Sequence, residues 1–265
     1  RLGHAFSVHG LSGNLGWAVA PLFLTGLATL AGWRIAAAAT IFVAIPAMLL
    51  LWRHRALLDT GHHAHAAKQP GHGALDFMRV GAVWLCFAFF FLITAAFGAI
   101  QNFATPILQN LYQLPLGLAA TALSTYLLAG AGGILVGGFV AQKQANDRII
   151  AVVLGIAALL AVLLAASVLP GWAVLPLMAG IGFFSGIAGP SRDLLVRRAA
   201  TARFGQAAYG RIYGFVYSGL DAGLAVAPLV FGGYMDRGQY AAVLVGIALL
   251  QAGAILTALR VGRAA

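Results

Sequence analysis

The feature that most constrains this chain is a succession of apolar runs, each about as long as a lipid bilayer is thick. A membrane-spanning helix needs about 20 mostly apolar residues. Eight such runs follow one another, near residues 5–29, 34–52, 79–101, 117–141, 149–169, 172–191, 210–234 and 240–259. They are too long, and too uniformly apolar, for the short alternating strands of a membrane barrel. The runs therefore predict an all-α membrane protein with eight transmembrane helices.

The composition agrees with lipid as the main surroundings of the protein. Only 8% of the residues are charged, whereas a soluble domain has about 25%. So few charges cannot cover a surface that faces water, and we expect the lipid bilayer to solvate the chain. The single cysteine, Cys86, lies inside an apolar run and excludes an internal disulfide.

The basic residues are distributed unevenly over the connecting segments and predict the orientation. The chain ends and the connectors near 53–78, 142–148 and 192–209, together with the residues that flank them, hold 14 of the 16 Lys and Arg residues, and the other two are Arg34 and Arg237. Cytoplasmic loops are the ones enriched in Lys and Arg. We therefore predict an inner (plasma) membrane protein with both termini in the cytoplasm. The net charge of +10 is then a topology signal, and we expect no nucleic-acid partner.

The one polar linker, residues 54–75, reads HRALLDTGHHAHAAKQPGHGAL. It separates residues 1–53, which contain two predicted helices, from residues 76–265, which contain six. Its five histidines have no cysteine partners and no helical spacing of the zinc-protease kind. We therefore interpret it as a flexible cytoplasmic segment, and we expect no metal and no other cofactor.

An internal repeat relates two parts of the chain. GNLGWAVAPL at 13–22 and GLDAGLAVAPL at 219–229 share the pattern Gly-x-Ala-x-Ala-Pro, which begins at Gly16 and again at Gly223, 207 residues later. Asn14 then aligns with Asp221. The first two helices thus match the last two of the six-helix segment 76–265. Because transporter folds are often built from repeated halves, we expect residues 1–53 to be the last two helices of an N-terminal half, with four further helices before them.

This arrangement resembles the major facilitator superfamily, in which two six-helix halves are joined by a long cytoplasmic loop. The resemblance covers the whole chain and implies that its helices correspond to the family's helices five to twelve. Residues 16–21 keep the spacing of the family's antiporter motif, with Ala20 in place of a glycine. Residues 138–143 resemble the charged loop motif, with Gln142 in place of an acid. AFSVHGLSGNLGWAVAP also resembles helix five of fosmidomycin-resistance-type exporters.

Asp221 stands near the middle of the span 210–234, among apolar residues. A charge at the centre of a membrane helix costs about 2.5–3.5 kcal/mol on insertion scales, so such residues normally face a cavity or a partner. Tyr217 and Tyr213 lie at i−4 and i−8 and share its helix face. We interpret this stripe as the wall of a polar path, in which Asp221 binds protons or contacts the substrate. The alternative is a neutral aspartic acid that bonds to a neighbouring helix.

Five further polar residues are candidates for the same path. Asn14 is either a ligand contact or a packing contact between helices. His9 can titrate near neutral pH, although a half-exposed histidine without a role is the alternative. Tyr126 is a candidate for the cavity wall. Gln101 and Asn102 end the span 79–101 and form either an outer gate or a solvated loop.

Two other patterns have structural interpretations. Gly133 and Gly137 have the GxxxG spacing of packed membrane helices, and the same spacing recurs at 182–186. Arg192 and Asp193 lie at a predicted cytoplasmic helix end, where we expect them to hold loops in place.

The sequence has no nucleophile with an adjacent base and no phosphate-binding loop, so we do not expect an enzyme. The best prediction is a secondary active transporter of a small molecule, with alternating access around a site at the membrane midplane. Proton-coupled efflux is one form of this activity, with protons as a second partner. The alternatives are a non-transporting membrane receptor or scaffold, and an inactive transporter fragment.

Overall fold

The computed structural model describes residues 2–58, 76–144 and 147–264, and all regular elements within these ranges are helices. The side chains of some helical residues lie outside this description, among them 2–10, 14, 142–144 and 195–211. The α-helices are α1 (Leu2–Ala31), α2 (Trp33–Arg53), α3 (Arg55–Leu58), α4 (Gly81–Leu111), α5 (Leu116–Gln144), α6 (Asp147–Ala166), α7 (Val174–Asp236) and α8 (Tyr240–Ala264). Two short 3-10 helices cover Asp76–Arg79 and Gly171–Ala173.

Seven of the eight predicted runs are confirmed as helices that are long and apolar enough to cross a membrane. The eighth, near residues 5–29, lies inside the helix α1. Helices are expected here because lipid offers no hydrogen bonds, so each spanning segment must satisfy its own backbone N–H and C=O groups. The prediction of an all-α membrane protein is therefore confirmed.

Two predicted connectors are helical instead. The backbone of α7 continues as a helix through 192–209, where a connector was predicted. This stretch is rich in alanine and arginine, which are strong helix formers, and contains no proline. The helix α7 thus joins two membrane-length parts. We call them the first span of α7 (Gly171–Leu194, which includes the short 3-10 helix just before α7) and the second span of α7 (Ile212–Asp236).

The connector predicted at 102–116 is also mostly helical, because α4 continues to Leu111 despite Pro106. The side chain of Asn110 donates a hydrogen bond of 2.8 Å to the Pro106 carbonyl oxygen. The Tyr112 hydroxyl, just after the helix, donates 2.8 Å to the Leu164 carbonyl oxygen of α6. Burial raises the pKa of Tyr112, so this hydroxyl keeps the proton that makes the bond.

The chain divides into two compact units, each described here by itself: Gly16–Ala74, and Leu75–Ala265 together with Arg1–Leu15. In the smaller unit, α2 buries only 6% of its most apolar stretch. The larger unit contains α4, α5, α6, both spans of α7, and α8, which we call the six-helix unit. Val83, Ile150 and Val261 pack in one buried cluster. We call this end of the unit, where Arg79, Arg148 and Arg260 also lie in sequence, the basic end.

Glycines bring α5 and the first span of α7 into backbone contact. A Cβ atom on Gly133 would overlap the Phe183 carbonyl oxygen, and one on Gly186 would overlap the Gly130 carbonyl oxygen. A Cβ on Gly137 would lie 2.5 Å from the Ile187 carbonyl oxygen. Small residues allow membrane helices to approach this closely. The packing role predicted for these GxxxG pairs is therefore confirmed.

A second glycine seam joins α4 to the second span of α7. A Cβ on Gly219 would lie 2.7 Å from the Phe87 carbonyl oxygen, and one on Gly223 would lie 2.5 Å from the Phe91 carbonyl oxygen. The Thr94 hydroxyl donates 2.6 Å to the Phe90 carbonyl oxygen within α4 and lies 3.4 Å from the Gly219 carbonyl oxygen. This seam fixes the rotation of the second span about its own axis. It therefore decides which way each of its side chains points.

Candidate functional site

Asp221 lies on the face of the second span of α7 that points away from the α4 seam. At 100° per residue it is about 160° around the helix from Gly223, which is buried in that seam. The residues on its own face are also exposed: Gly214, Ser218 and Ala225. Asp221 is thus on the outside of the six-helix unit, in a stripe of small side chains that leave space around the carboxylate.

Within the described part of the chain, no side chain forms a hydrogen bond or an ion pair with Asp221. A carboxylate in the middle of a membrane-spanning helix requires water or a polar partner, because lipid solvates it poorly. The neighbouring Ser218 hydroxyl donates 2.7 Å to the Phe215 carbonyl oxygen of its own helix. The hydroxyl of Ser218 is thus engaged by its own helix, and the Asp221 carboxylate is available to a ligand.

Tyr217 and Tyr213 do not share the full exposure of Asp221. Both are partly buried, and their ring centroids are 4.6 Å apart. The Tyr217 ring also lies 5.1 Å from the ring of Phe90 on α4. The predicted stripe is thus divided: Gly214 lies on the open face with Asp221, whereas the tyrosines lean toward the interior. Tyr217 remains one helical turn from Asp221.

The tyrosines belong to a partly buried group of charged and aromatic residues at the basic end. Arg192 Nε donates to Asp193 Oδ1 at 2.9 Å, and the Arg192 guanidinium carbon lies 4.5 Å from the centroid of the Phe90 ring. Asp193 is only 7% exposed. Tyr217 and Arg192 both contact the ring of Phe90, and the Tyr213 ring packs on that of Tyr217. We call Phe90, Arg192, Asp193, Tyr213 and Tyr217 the ionic cluster.

The ionic cluster was missed from the sequence, where Arg192 and Asp193 were interpreted as residues that hold loops. The predicted span ended at residue 191, which placed the pair just outside the membrane. The structure instead includes both residues in the first span of α7, which ends at Leu194. One signal in the sequence points to the pair: the chain has only six acidic residues, and one of them stands next to an arginine at the end of a long apolar run.

Two further polar side chains are buried near the same spans. Gln251 of α8 is 3% exposed, and its Nε2 lies 3.4 Å from the Ser185 hydroxyl oxygen in the first span of α7. Ser191 is fully buried. Within the described residues, the Ser191 Oγ and the Gln251 Oε1 have no hydrogen-bond partner. Most buried polar atoms in proteins are paired, so these two atoms are exceptions within the six-helix unit.

The other candidates from the sequence lie apart from Asp221 or outside the description. Tyr126 is 4% exposed and packs inside the unit, with its ring 6.2 Å from that of Phe97; it does not lie on the open face. Asn14 and His9 belong to α1, but their side chains are outside the described residues.

The two candidates for an outer gate, Gln101 and Asn102, lie within α4 and not at its end. Gln101 is partly buried and Asn102 is exposed. The Asn102 side chain donates 2.7 Å to the Gly98 carbonyl oxygen, one turn earlier in the same helix. These residues therefore lie on a continuous helix, and the solvated loop of the alternative interpretation is not present there.

In the parts of the chain that the structure describes, no three His, Cys, Asp or Glu side chains come together as a metal site. Four of the five linker histidines, His62, His63, His65 and His72, lie outside these parts.

One comparison with known proteins gives a match. The family model described as Major Facilitator Superfamily matches residues 1–228. The match includes α1 and α2, most of the six-helix unit, and Asp221. A search among curated proteins finds no match to this chain.

Proposed function

The chain belongs to the major facilitator superfamily of membrane transporters, and from this premise we propose that it is a secondary active transporter in which Asp221 couples protons to the movement of a small molecule. The observation that carries the proposal is the exposed carboxylate at the middle of the second span of α7, with small residues around it. Such a group is stable in a membrane when it faces water or a polar partner. A water-filled path through the protein supplies both.

Proton coupling follows from the chemistry of a carboxylate that changes its surroundings. When the path opens to the side of higher proton concentration, Asp221 takes up a proton and becomes neutral. When the path opens to the other side, it releases the proton, and this release drives the return of the carrier. Transport then proceeds by rocking of helical bundles around a midplane site. The antiporter-like spacing at residues 16–21 supports efflux as the direction.

We also propose that residues 1–53 belong to the N-terminal half of the transporter, that 54–75 form the cytoplasmic linker, and that 76–265 form the C-terminal half. The 14 of 16 basic residues assigned to the linker side support this orientation. Cysteines introduced by Ala66→Cys and Gln239→Cys, in a Cys86→Ala background, test it. In intact cells a membrane-impermeant thiol reagent should label the Gln239→Cys protein alone. Labelling of Ala66→Cys would contradict the orientation.

Replacement of Asp221 by asparagine tests the coupling. The variant keeps the size of the side chain and its ability to accept hydrogen bonds, but it cannot exchange a proton. In the full-length protein encoded by the gene, Asp221→Asn should abolish accumulation driven by a pH gradient, while exchange of substrate across the membrane persists. The matched control is Ser218→Ala on the same exposed face, which should accumulate substrate normally. Accumulation by Asp221→Asn at the wild-type rate would contradict the proposal.

A further inference from the structure

We propose that the guanidinium of Arg192 is a binding site for a carboxylate or phosphate group, and that the small molecule carried by this transporter is an organic anion. The inference rests on the proposed function as a transporter and names the class of its substrate, but it does not depend on a coupling role of Asp221. The site lies at the basic end of the six-helix unit, where contacts through Phe90 of α4 join the two spans of α7.

Two contacts hold the Arg192 guanidinium in one orientation. Its Nε donates to Asp193 Oδ1 at 2.9 Å. One of its faces lies over the ring of Phe90, with 4.5 Å between the guanidinium carbon and the ring centroid. Phe90 is itself fully buried, so packing holds this ring in place. The two contacts use one nitrogen and one face of the guanidinium, and they leave the edge formed by Nη1 and Nη2.

The edge formed by Nη1 and Nη2 has a hydrogen-bonding capacity that the described residues do not use. An arginine has five N–H donors, and the contact with Asp193 uses one of them. Among the residues that the structure describes, none forms a hydrogen bond or an ion pair with Nη1 or Nη2. The Arg192 side chain is 18% exposed, so it is mostly withdrawn from water but still accessible. Unpaired donors of a charged group are costly in such surroundings, and a ligand with acceptor oxygens satisfies them.

The shape of this edge selects the ligand. The parallel N–H groups of a planar guanidinium match two oxygens of a carboxylate or a phosphate, which they bind in a bidentate manner. A group that is already held in its binding orientation loses little conformational freedom when the ligand arrives. The ring of Tyr217 lies 5.1 Å from that of Phe90, so an aromatic surface adjoins the charge. A small anion with an apolar body suits both features.

The charge at this end of the unit also favours an anion. Arg79, Arg148 and Arg260 are exposed at the basic end, and a group of like charges raises the local concentration of oppositely charged ligands. The carboxylate of Asp193 opposes this attraction, because it has the same charge as the ligand. In the proposed orientation the basic end faces the cytoplasm, which is the side from which an efflux transporter takes its substrate.

A role in packing alone does not require the Nη1 and Nη2 edge. A lysine would also pair with Asp193, as a point charge without a fork. A partly buried ion pair adds little net stability, because the loss of hydration offsets most of the attraction. The unused fork of Arg192 therefore favours ligand binding over a purely structural role.

The binding of a carboxylate probe tests the site directly. The full-length protein in nonionic detergent micelles is titrated with benzoate and with benzamide by isothermal titration calorimetry. Benzamide has the same shape as benzoate but no charge and only one acceptor oxygen, so benzoate should bind and benzamide should not. Phenyl phosphate tests the phosphate form of the same chemistry, and binding of either small anion supports the site. Phosphatidylglycerol tests a lipid headgroup as the source of the anion, and binding of this lipid without either small anion would overturn the assignment of the substrate class.

Replacement of Arg192 by lysine tests the fork. Arg192→Lys keeps a positive charge beside Asp193 but loses the bidentate edge. It should weaken benzoate binding on the order of tenfold or more, which corresponds to the loss of one charge-assisted hydrogen bond. The matched control is Arg237→Lys, just after the second span of α7, where the guanidinium carbon also lies near an aromatic ring, 5.7 Å from the Tyr234 centroid. This control should bind benzoate as the wild type does.

A second variant should change the affinity in the opposite direction. Asp193→Asn keeps an acceptor oxygen for the Nε of Arg192 but removes the negative charge that repels the ligand. Benzoate should therefore bind more tightly, on the order of tenfold. A general loss of folding lowers the amount of protein that binds and cannot produce this gain, so an unchanged or weaker affinity of the folded Asp193→Asn protein would contradict the site.

The two proposals fail in different ways. If neither benzoate nor phenyl phosphate binds more tightly than benzamide, or if Arg192→Lys and Arg237→Lys bind benzoate equally well, Arg192 is not an anion site and the substrate class is wrong. Neither result affects the coupling role of Asp221, which is tested by accumulation in a pH gradient. If Asp221→Asn accumulates substrate at the wild-type rate but Arg192→Lys still loses benzoate binding, only the coupling role fails.

Discussion

Two aspartates in the membrane-spanning parts of α7 have opposite surroundings. Asp193 is 7% exposed and is paired at 2.9 Å with Arg192, whose guanidinium lies over the Phe90 ring. Asp221 is exposed and, within the described residues, has no paired side chain. A buried charge depends on its partner for its stability, whereas an exposed one remains available to a ligand. Asp193 is therefore held in place by its contacts within the fold, whereas the Asp221 carboxylate is available to bind a ligand.

The free energy of unfolding should differ most between the two sites when a partner side chain is removed. Arg192→Ala leaves the Asp193 charge buried and unpaired, which should lower the free energy of unfolding by about 3–5 kcal/mol. Asp221→Asn should leave the stability nearly unchanged, because Asp221 loses no hydrogen bond or ion pair with any side chain that the structure describes. Thermal unfolding in detergent micelles measures both. Equal stability losses in the two variants would show that the Asp221 carboxylate is also held by the fold.

A smaller change in stability should distinguish the two faces of the second span of α7. Gly223→Ala adds a Cβ atom 2.5 Å from the Phe91 carbonyl oxygen, and this overpacking should cost about 1–3 kcal/mol. On the open face beside Asp221, a Cβ atom on Gly214 meets nothing within 4 Å.

The matched variant Gly214→Ala should therefore not destabilise the protein. Alanine is favoured over glycine inside a helix by about 1 kcal/mol, so a small gain is expected. Denaturation of the two variants under identical conditions tests the assignment of the faces. The opposite order of stability would mean that the second span is rotated the other way and that Asp221 points into the α4 seam.

Much of the fold could be predicted from the sequence, because membrane spans are recognised by length and apolar character. The burial of each helix could not be predicted from the sequence, as α2 and α4 demonstrate. Both are strongly apolar, yet the most apolar stretch of α4 is 50% buried and that of α2 is 6% buried. Phe90 of α4 is fully buried, whereas Phe42 of α2 is 77% exposed. Lipid solvates apolar side chains as well as protein does, so apolar character alone does not select a packed face.

The candidate site was harder to predict than the spans. The position of Asp221 near the middle of its span was evident, but its direction is decided by Gly219 and Gly223, whose seam with α4 is a tertiary contact. The same contact moves Tyr217 inward toward Phe90. The ion pair of Arg192 and Asp193 was missed because hydropathy places a span boundary only to within a few residues. The predicted span ended just before the pair, whereas the structural span includes it.

The central claim is that the face around Asp221 lines a water-filled path, and the reactivity of a cysteine at this position tests it most directly. Charged thiol reagents modify a cysteine in water and not in lipid. The full-length Asp221→Cys variant, in a Cys86→Ala background, should react from either side of the membrane as the path alternates. Leu249→Cys, at an exposed apolar position of α8, is the control and should stay unmodified. If Asp221→Cys is as unreactive as Leu249→Cys from both sides, this face is not a water-filled path, and the account is contradicted.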